Sequence, residues 1–336
     1  INALSEIGRY NLTLKALEWL FDGDDERALQ TKLPGMELSN PLLLAAGFDK
    51  DGRAVEAIKR LGFAGMEVGS VLSLPQRGIE WPNIFRLGGQ NLLNNMGFPS
   101  LGMEAAGENL GRVFRDDFAV GINVGVNWFL VDEAAVAYSS VIKYLYDKGD
   151  FFVINISSPN TAGLRDLTAE VENLRGIIRS SFEAMREKGG AKPLYIKVSP
   201  EESREVLKSM VRVAIEEGVS GMVATNSSAS RRLKQELRLE VGRAGGVSGR
   251  ALEELSNEVI GYLNSEAGGE LVLIGSGGVM DLDSALNKFK AGARALEIYS
   301  GLIYKGPGIA KWLKAQLLAY MESEGINNLE EIRGKG

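Results

Sequence analysis

Residues 194–228, LYIKVSPEESREVLKSMVRVAIEEGVSGMVATNSS, hold one full unit of the chain's architecture. The run 194–198 is apolar, β-branched and too short for a helix, which predicts a buried strand. After Ser199 and Pro200, the residues Leu207, Met210, Val211 and Ala214 recur at three- and four-residue spacing. That spacing places them on one face of a helix, and Gly218 closes it. A second apolar run, 221–225, then begins the next unit.

The same alternation extends in both directions. Apolar runs at 42–46, 65–68, 119–124, 152–156, 194–198, 221–225, 271–275 and 295–299 are each followed by a loop rich in Gly, Asn or Ser and then by a helical pattern. Leu252, Leu255, Val259 and Tyr262 form one such helical face. Eight strand–helix units in one domain predict an α/β fold, a (β/α)8 TIM barrel with a short N-terminal helical extension; an open parallel sheet is the alternative. Residues 1–30 are expected to form a helical hood and 31–336 the barrel. Within the hood, residues 1–22 read as one helix, either a cap over the bottom of the barrel or a surface-docking element. Residues 70–103, with Pro75, Pro82, Pro99 and several glycines, read as a long irregular insertion of functional kind.

Composition narrows the chemistry. The 336 residues include no cysteine and no histidine. Disulfides, Cys/His zinc sites, iron–sulfur clusters and His-ligated haem are therefore excluded, as are catalytic arrangements built on His or Cys. No metal site is expected. A net charge of −6 argues against a broad nucleic-acid surface, and no apolar stretch is long enough to span a membrane.

In a barrel the active site gathers where strands end. The residues there are Ala45, Ala46, Gly47 and Lys50; Ser70; Asn123; Asn155, Ser158, Asn160 and Thr161; Lys197; Thr225, Asn226 and Ser227; Gly277 and Gly278; and Tyr299 and Ser300. Gly277-Gly278, Ser300-Gly301 and Ser248-Gly249 offer backbone N–H groups suited to a phosphate, although any one of them serves equally well as a tight turn. The cluster lacks the last glycine of G-x-G-x-x-G, where Met280 stands, and no P-loop occurs. Lys50 and Lys197 at strand ends call for anionic or carbonyl partners. Asn94, Asn123, Asn155, Asn160 and Asn226 together suit a ring of alternating C=O and N–H groups, since each amide both donates and accepts.

The stretches AAGFDKDG, EVGSVLSLPQRG, FRLGGQNLLNNMGF, GINVGVN, INISSPNTAGLR, IKVSP, ATNSS, GGVSGRAL, IGSGGV and IYSGLIYKGP, spread over about residues 40–307, resemble in order and spacing the class 2, quinone-linked dihydroorotate dehydrogenases. The run 155–165 is the most distinctive. The resemblance implies FMN as cofactor, with its phosphate against Ser248, Gly249, Gly277, Gly278, Tyr299 and Ser300. Its ring would lie near Ala45, Ala46, Gly47, Ser70, Asn123, Asn155, Lys197 and Thr225. It implies dihydroorotate and orotate held by Lys50, Asn94, Asn155, Asn160, Asn226 and Ser227. Ser158 would be the catalytic base in place of cysteine, with Thr161 and Phe98 serving the proton relay. Lys197 would favour the anionic reduced flavin.

A membrane quinone would accept the electrons near Arg86 and Tyr299, beneath a hood formed by residues 1–22. The protein would then be peripheral on a membrane: the cytoplasmic face of a bacterial inner membrane, or the mitochondrial inner membrane in a eukaryote. No iron–sulfur subunit is implied. The chain departs from the family pattern at Val126, where G-K-N-K has Lys, at Ser227-Ser228 for Thr-Thr, and at Glu297, where the family's usual residue is Gln. The hood also reads as one helix where the family has two. Two other functions fit the residues: another FMN barrel acting on pyrimidine-like substrates, and a non-catalytic phosphate-binding barrel that docks on membranes.

Overall fold

The computed structural model describes residues 1–21, 27–114, 117–157, 171–240 and 243–334. Ser158, Asn160 and Thr161 lie outside the described residues. Two short strands, β1 (Thr31–Leu33) and β2 (Met36–Leu38), form a hairpin. Eight parallel strands then close a barrel in sequence order: β3 (Leu42–Leu44), β4 (Gly65–Val71), β7 (Ala119–Val124), β8 (Phe151–Asn155), β9 (Leu194–Val198), β10 (Gly221–Ala224), β12 (Val272–Ser276) and β13 (Ala295–Ile298). The ring is completed by β13 pairing with β3, Leu296 opposite Leu42. These strands are the eight expected runs, shifted by up to three residues at their ends. All but Val272 of their residues are buried, as a sheet covered on both faces requires.

The helices between them follow local rules. Helices α3 (Val55–Ile58), α4 (Met103–Leu110), α5 (Ala134–Leu145), α6 (Val171–Arg186), α7 (Arg204–Glu216), α8 (Arg231–Glu236), α9 (Glu253–Ala267), α10 (Leu282–Ala291), α11 (Ser300–Lys305) and α12 (Ile309–Glu324) come after the barrel strands. Ser203 caps α7 by accepting a bond from the Val206 N–H, and Leu207, Met210, Val211, Val213 and Ala214 are buried. Asp281 and Ser284 form a reciprocal capping box at α10.

The structure corrects three sequence expectations. Residues 1–22 do not form one helix: α1 (Asn2–Ile7) and α2 (Asn11–Phe21) are separate, with the break at 8–10. Nor do they cap the bottom of the barrel. They lie along its flank, where Asn2 meets Arg53, Glu18 meets Arg60 and the Leu20 carbonyl meets Lys311. The bottom is closed by the β1–β2 hairpin, whose Leu33 and Leu38 pack with Leu43, Phe151, Val153, Tyr195 and Ile274 at the lower end of the barrel.

Third, the insertion 70–103 is irregular only in part. Its strands β5 (Ile84–Leu87) and β6 (Asn91–Asn94) pair antiparallel, and β6 pairs in turn with β11 (Gly246–Gly249), about 150 residues further along the chain. This three-stranded sheet has its own small core of Leu93, Leu233 and Val247. It is tied to the barrel by Tyr304, whose hydroxyl donates to the carbonyls of Asn91 (2.6 Å) and Leu87 (3.2 Å).

Candidate active site

A cavity of about 140 Å³ opens at the C-terminal end of the barrel, between the strand ends and the β5–β6–β11 sheet. Its wall brings together Ala45, Ala46, Gly47, Lys50, Ser70, Asn94, Phe98, Asn155, Lys197, Thr225, Asn226, Ser227, Ser248, Gly249, Gly277, Gly278, Tyr299 and Ser300. These positions come from segments of sequence as far apart as residues 45 and 300. Barrel closure alone places them round one opening.

On one side a chain of amides and hydroxyls is locked by hydrogen bonds. The Ser70 hydroxyl donates to Asn123 Oδ1 at 2.5 Å, and Asn155 Nδ2 donates to Ser70 Oγ at 2.9 Å and to Asn123 Oδ1 at 3.2 Å. Asn226 Nδ2 donates to Ser157 Oγ, which donates to Asn155 Oδ1. Asn94 Nδ2 donates to the Gly246 carbonyl and to Ser227 Oγ, joining the small sheet to the loop after β10. From behind, the Tyr138 hydroxyl of α5 holds the Asn155 carbonyl at 2.8 Å. Asn123 is fully buried and lies behind the wall, where it orients Ser70 and Asn155.

The floor is charged. Lys197 Nζ lies 2.7 Å from Glu297 Oε2 and 3.3 Å from Glu67 Oε2, and Glu67 Oε2 also accepts from Asn123 Nδ2 at 2.8 Å. Lys197 thus finds anionic partners, but two of them and both buried. Glu67 does not stand out in the sequence because it sits inside the apolar run GMEVGSV and reads as part of the strand. A lone carboxylate in an otherwise buried strand was the available signal. Burial acts to lower the Lys197 ammonium, yet its two carboxylates outweigh burial and hold it above the usual lysine value. Burial together with the charge of Glu297 pushes the Glu67 carboxyl well up. For Glu297, burial acts upward, but Lys197 prevails and holds it below the ordinary carboxylate value.

Lys50 differs from Lys197. Among the described residues it has no hydrogen bond or ion pair, and burial depresses its ammonium to about 8 against a weak upward pull from Asp51. A half-buried cation without a counter-ion is prepared for an anionic ligand. Beyond it, Phe48 packs edge-on against Tyr299, with ring centroids 6.1 Å apart. Arg86 does not line the cavity. It stacks on Tyr304 at 5.3 Å and donates to the Ile303 carbonyl, both residues of α11.

Glycine at two positions answers to the chain's own packing. A Cβ on Gly249 (φ +104°) would stand 2.3 Å from the Gln90 carbonyl oxygen, and one on Gly278 (φ +82°) 2.6 Å from Glu253 Cα. These glycines allow close backbone approach whatever binds there. The polar edge they leave carries Ser248 and Ser300, whose hydroxyls are 2.9 Å apart.

The model of the dihydroorotate dehydrogenase family matches residues 28–321. The chain belongs to this family. The dihydroorotate dehydrogenase (quinone) of Anaeromyxobacter dehalogenans (strain 2CP-C) is 40% identical over 311 residues, covering 91% of this chain and 85% of that one. The dihydroorotate dehydrogenase (quinone) of Synechococcus sp. (strain JA-2-3B'a(2-13)) is 40% identical over 316 residues, covering 89% and 82%. Among solved structures, the Eimeria tenella DHODH in ligand-free form superposes with a TM-score of 0.86 at 30% identity, covering 97% of this chain and 98% of that one. The form in complex with ferulenol gives 0.85 at 29%, covering 97% and 95%. For a dihydroorotate dehydrogenase, a cavity with one unpaired lysine and a ring of amides is the arrangement its substrate's chemistry asks for.

Proposed function

We propose that the protein oxidises dihydroorotate to orotate in pyrimidine biosynthesis, using bound FMN and passing the electrons to a quinone. The single observation that carries this reading is the cavity: Lys50 unpaired at its wall, with Asn94, Asn155, Asn226 and Ser227 converging beside it. The quinone-type enzymes among the relatives support the electron acceptor.

The residues fit a flavin. Thr225 Oγ1 is buried on the cavity wall without a hydrogen-bond partner, and Ser70, Lys197 and Asn155 line the same side, which suits the C=O and N–H edge of an isoalloxazine. Ser248, Gly249, Gly277, Gly278, Tyr299 and Ser300 form a second polar edge for the phosphate. When bound, FMN supplies a hydride acceptor and a store of two electrons.

The chain's own residues do the rest. Lys50 pairs with the substrate carboxylate, and the amides fix the ring by donating to its C=O groups and accepting from its N–H groups. Oxidation removes a proton from C5 and a hydride from C6. Ser158 takes the proton and passes it towards Thr161, while Phe98 excludes bulk water. The test is Ser158→Ala: flavin and orotate still bind, and reduction by dihydroorotate slows by orders of magnitude. Equal rates would remove Ser158 from this role.

Residues 1–30 act as the hood. Helix α2 buries no residue, and it exposes Leu12 and Trp19 at 81% and 80%. Such a face suits contact with a membrane surface, from which a quinone would approach towards Tyr299 and Arg86. No helix among the described residues is long and apolar enough to cross a membrane.

A further inference from the structure

The floor of the cavity holds three buried ionisable groups from three strands: Glu67 of β4, Lys197 of β9 and Glu297 of β13. Two carboxylates share one ammonium. Glu67 Oε1 and Glu297 Oε1 are both buried with no hydrogen-bond partner. Were both acids ionised, the floor would carry an uncompensated negative charge away from water, with two bare oxygens, an arrangement that buried sites avoid by taking up a proton. Among the described residues no second cation meets the pair, and the Ser276 hydroxyl offers Glu297 only a neutral donor. Strands β3, β7, β8, β10 and β12 carry no ionisable residue. On β9, Tyr195 lies in the layer below, against Phe151. Beyond the floor, Lys50 and Tyr299 are the ionisable side chains on the cavity wall among the described residues. Asn123 supplies Glu67 with a neutral donor only.

We propose that Glu67 and Glu297 share one proton across Lys197, so that the floor is a neutral, proton-loaded triad and Glu297 is a positioning residue that sets the charge Lys197 presents to the cavity. Glu297, the nearer to Lys197, neutralises the ammonium, and the proton resides chiefly on Glu67, in keeping with the net upward push on Glu67 and the net downward one on Glu297. A group above the floor that gains negative charge tightens the pair's hold on its proton. Above the pH at which the resting pair ionises, two-electron reduction of that group therefore draws one additional proton from solvent onto Glu67. The identity of that group as a flavin rests on the proposed function; the shared proton does not.

Two measurements test the triad. In infrared spectra of the purified protein at neutral pH, the native chain shows a carboxylic-acid C=O band that shifts when glutamate is enriched in heavy carbon. Glu297→Gln and Glu67→Gln each lose it, because a single remaining acid ionises against Lys197. Absence of the band in the native protein, or its survival in both variants, would overturn the proposal. In the flavin-loaded protein, the midpoint potential of the native chain falls more steeply with pH on the alkaline limb, by one proton per two electrons, and Glu297→Gln lacks that limb. Equal slopes in both would also overturn it. Failure to bind flavin would strike the proposed function and leave the infrared result to decide the triad.

Discussion

Lys50→Met isolates the contribution of one charge. In the native protein the ammonium is held at about 8 by burial, against an ordinary value of 10.5. That difference corresponds to about 3 kcal/mol of unfavourable burial. An anion placed about 4 Å away gains about 4 kcal/mol at the effective dielectric of a partly buried site. Removing the charge while keeping the length of the side chain is therefore expected to weaken orotate binding by roughly 2–4 kcal/mol, or about 30- to 1000-fold. A neutral pyrimidine without the carboxylate should lose less than about threefold. The ligand-free variant should also be more stable, by up to about 3 kcal/mol, because a desolvated charge has gone.

The pH dependence has a definite sign. The cation is present below about pH 8, so orotate affinity is full there and declines as pH rises above it, while Lys50→Met is flat. Because the folded value lies below the unfolded one, native stability relative to the variant rises between about 8 and 10.5. Calorimetric titration with both ligands and thermal unfolding measure all of these effects. An equal loss for the charged and neutral ligands would refute the pairing of Lys50 with the carboxylate.

Three further outcomes are expected. Asn123→Ala strips buried partners from Ser70, Asn155 and Glu67, and should lower stability by about 2–4 kcal/mol and flavin content with it, measured by denaturant unfolding and visible absorbance. Gly278→Ala forces a methyl to within 2.6 Å of Glu253 Cα at a positive φ, so it should cost at least about 2 kcal/mol of stability and weaken FMN retention; a wild-type melting curve would contradict the close approach. Removal of residues 1–22 should leave flavin reduction by dihydroorotate largely intact but impair reoxidation by a long-chain quinone, as stopped-flow absorbance would show. Unchanged quinone kinetics would mean that the hood does not form the quinone's approach.

The barrel was legible because each strand is an apolar run bounded by loop-forming residues, so that 194–198 and 221–225 announce themselves without a partner. Strands β5 and β6 were hidden for the converse reason. Ile84–Leu87 is half exposed and has no apolar run, and β6 finds its second partner near residue 247, which local pattern cannot supply. The hairpin at 31–38 contributes only two core leucines and left no periodic signature. Within the site, the lysines and amides stood out as polar residues at strand ends. The hydrogen-bond order among Ser70, Asn123 and Asn155 depends on barrel closure, and the partners of Lys197 depend on three strands meeting across the interior. Those relations are non-local, and sequence spacing does not encode them.

In the proposed function the cavity couples dihydroorotate to a bound flavin. Anaerobic titration of the purified, FMN-loaded protein with dihydroorotate tests it most directly. The oxidised flavin absorbance should be lost as substrate is added, with orotate formed in equal amount. A flavin that stays oxidised under excess dihydroorotate would contradict it.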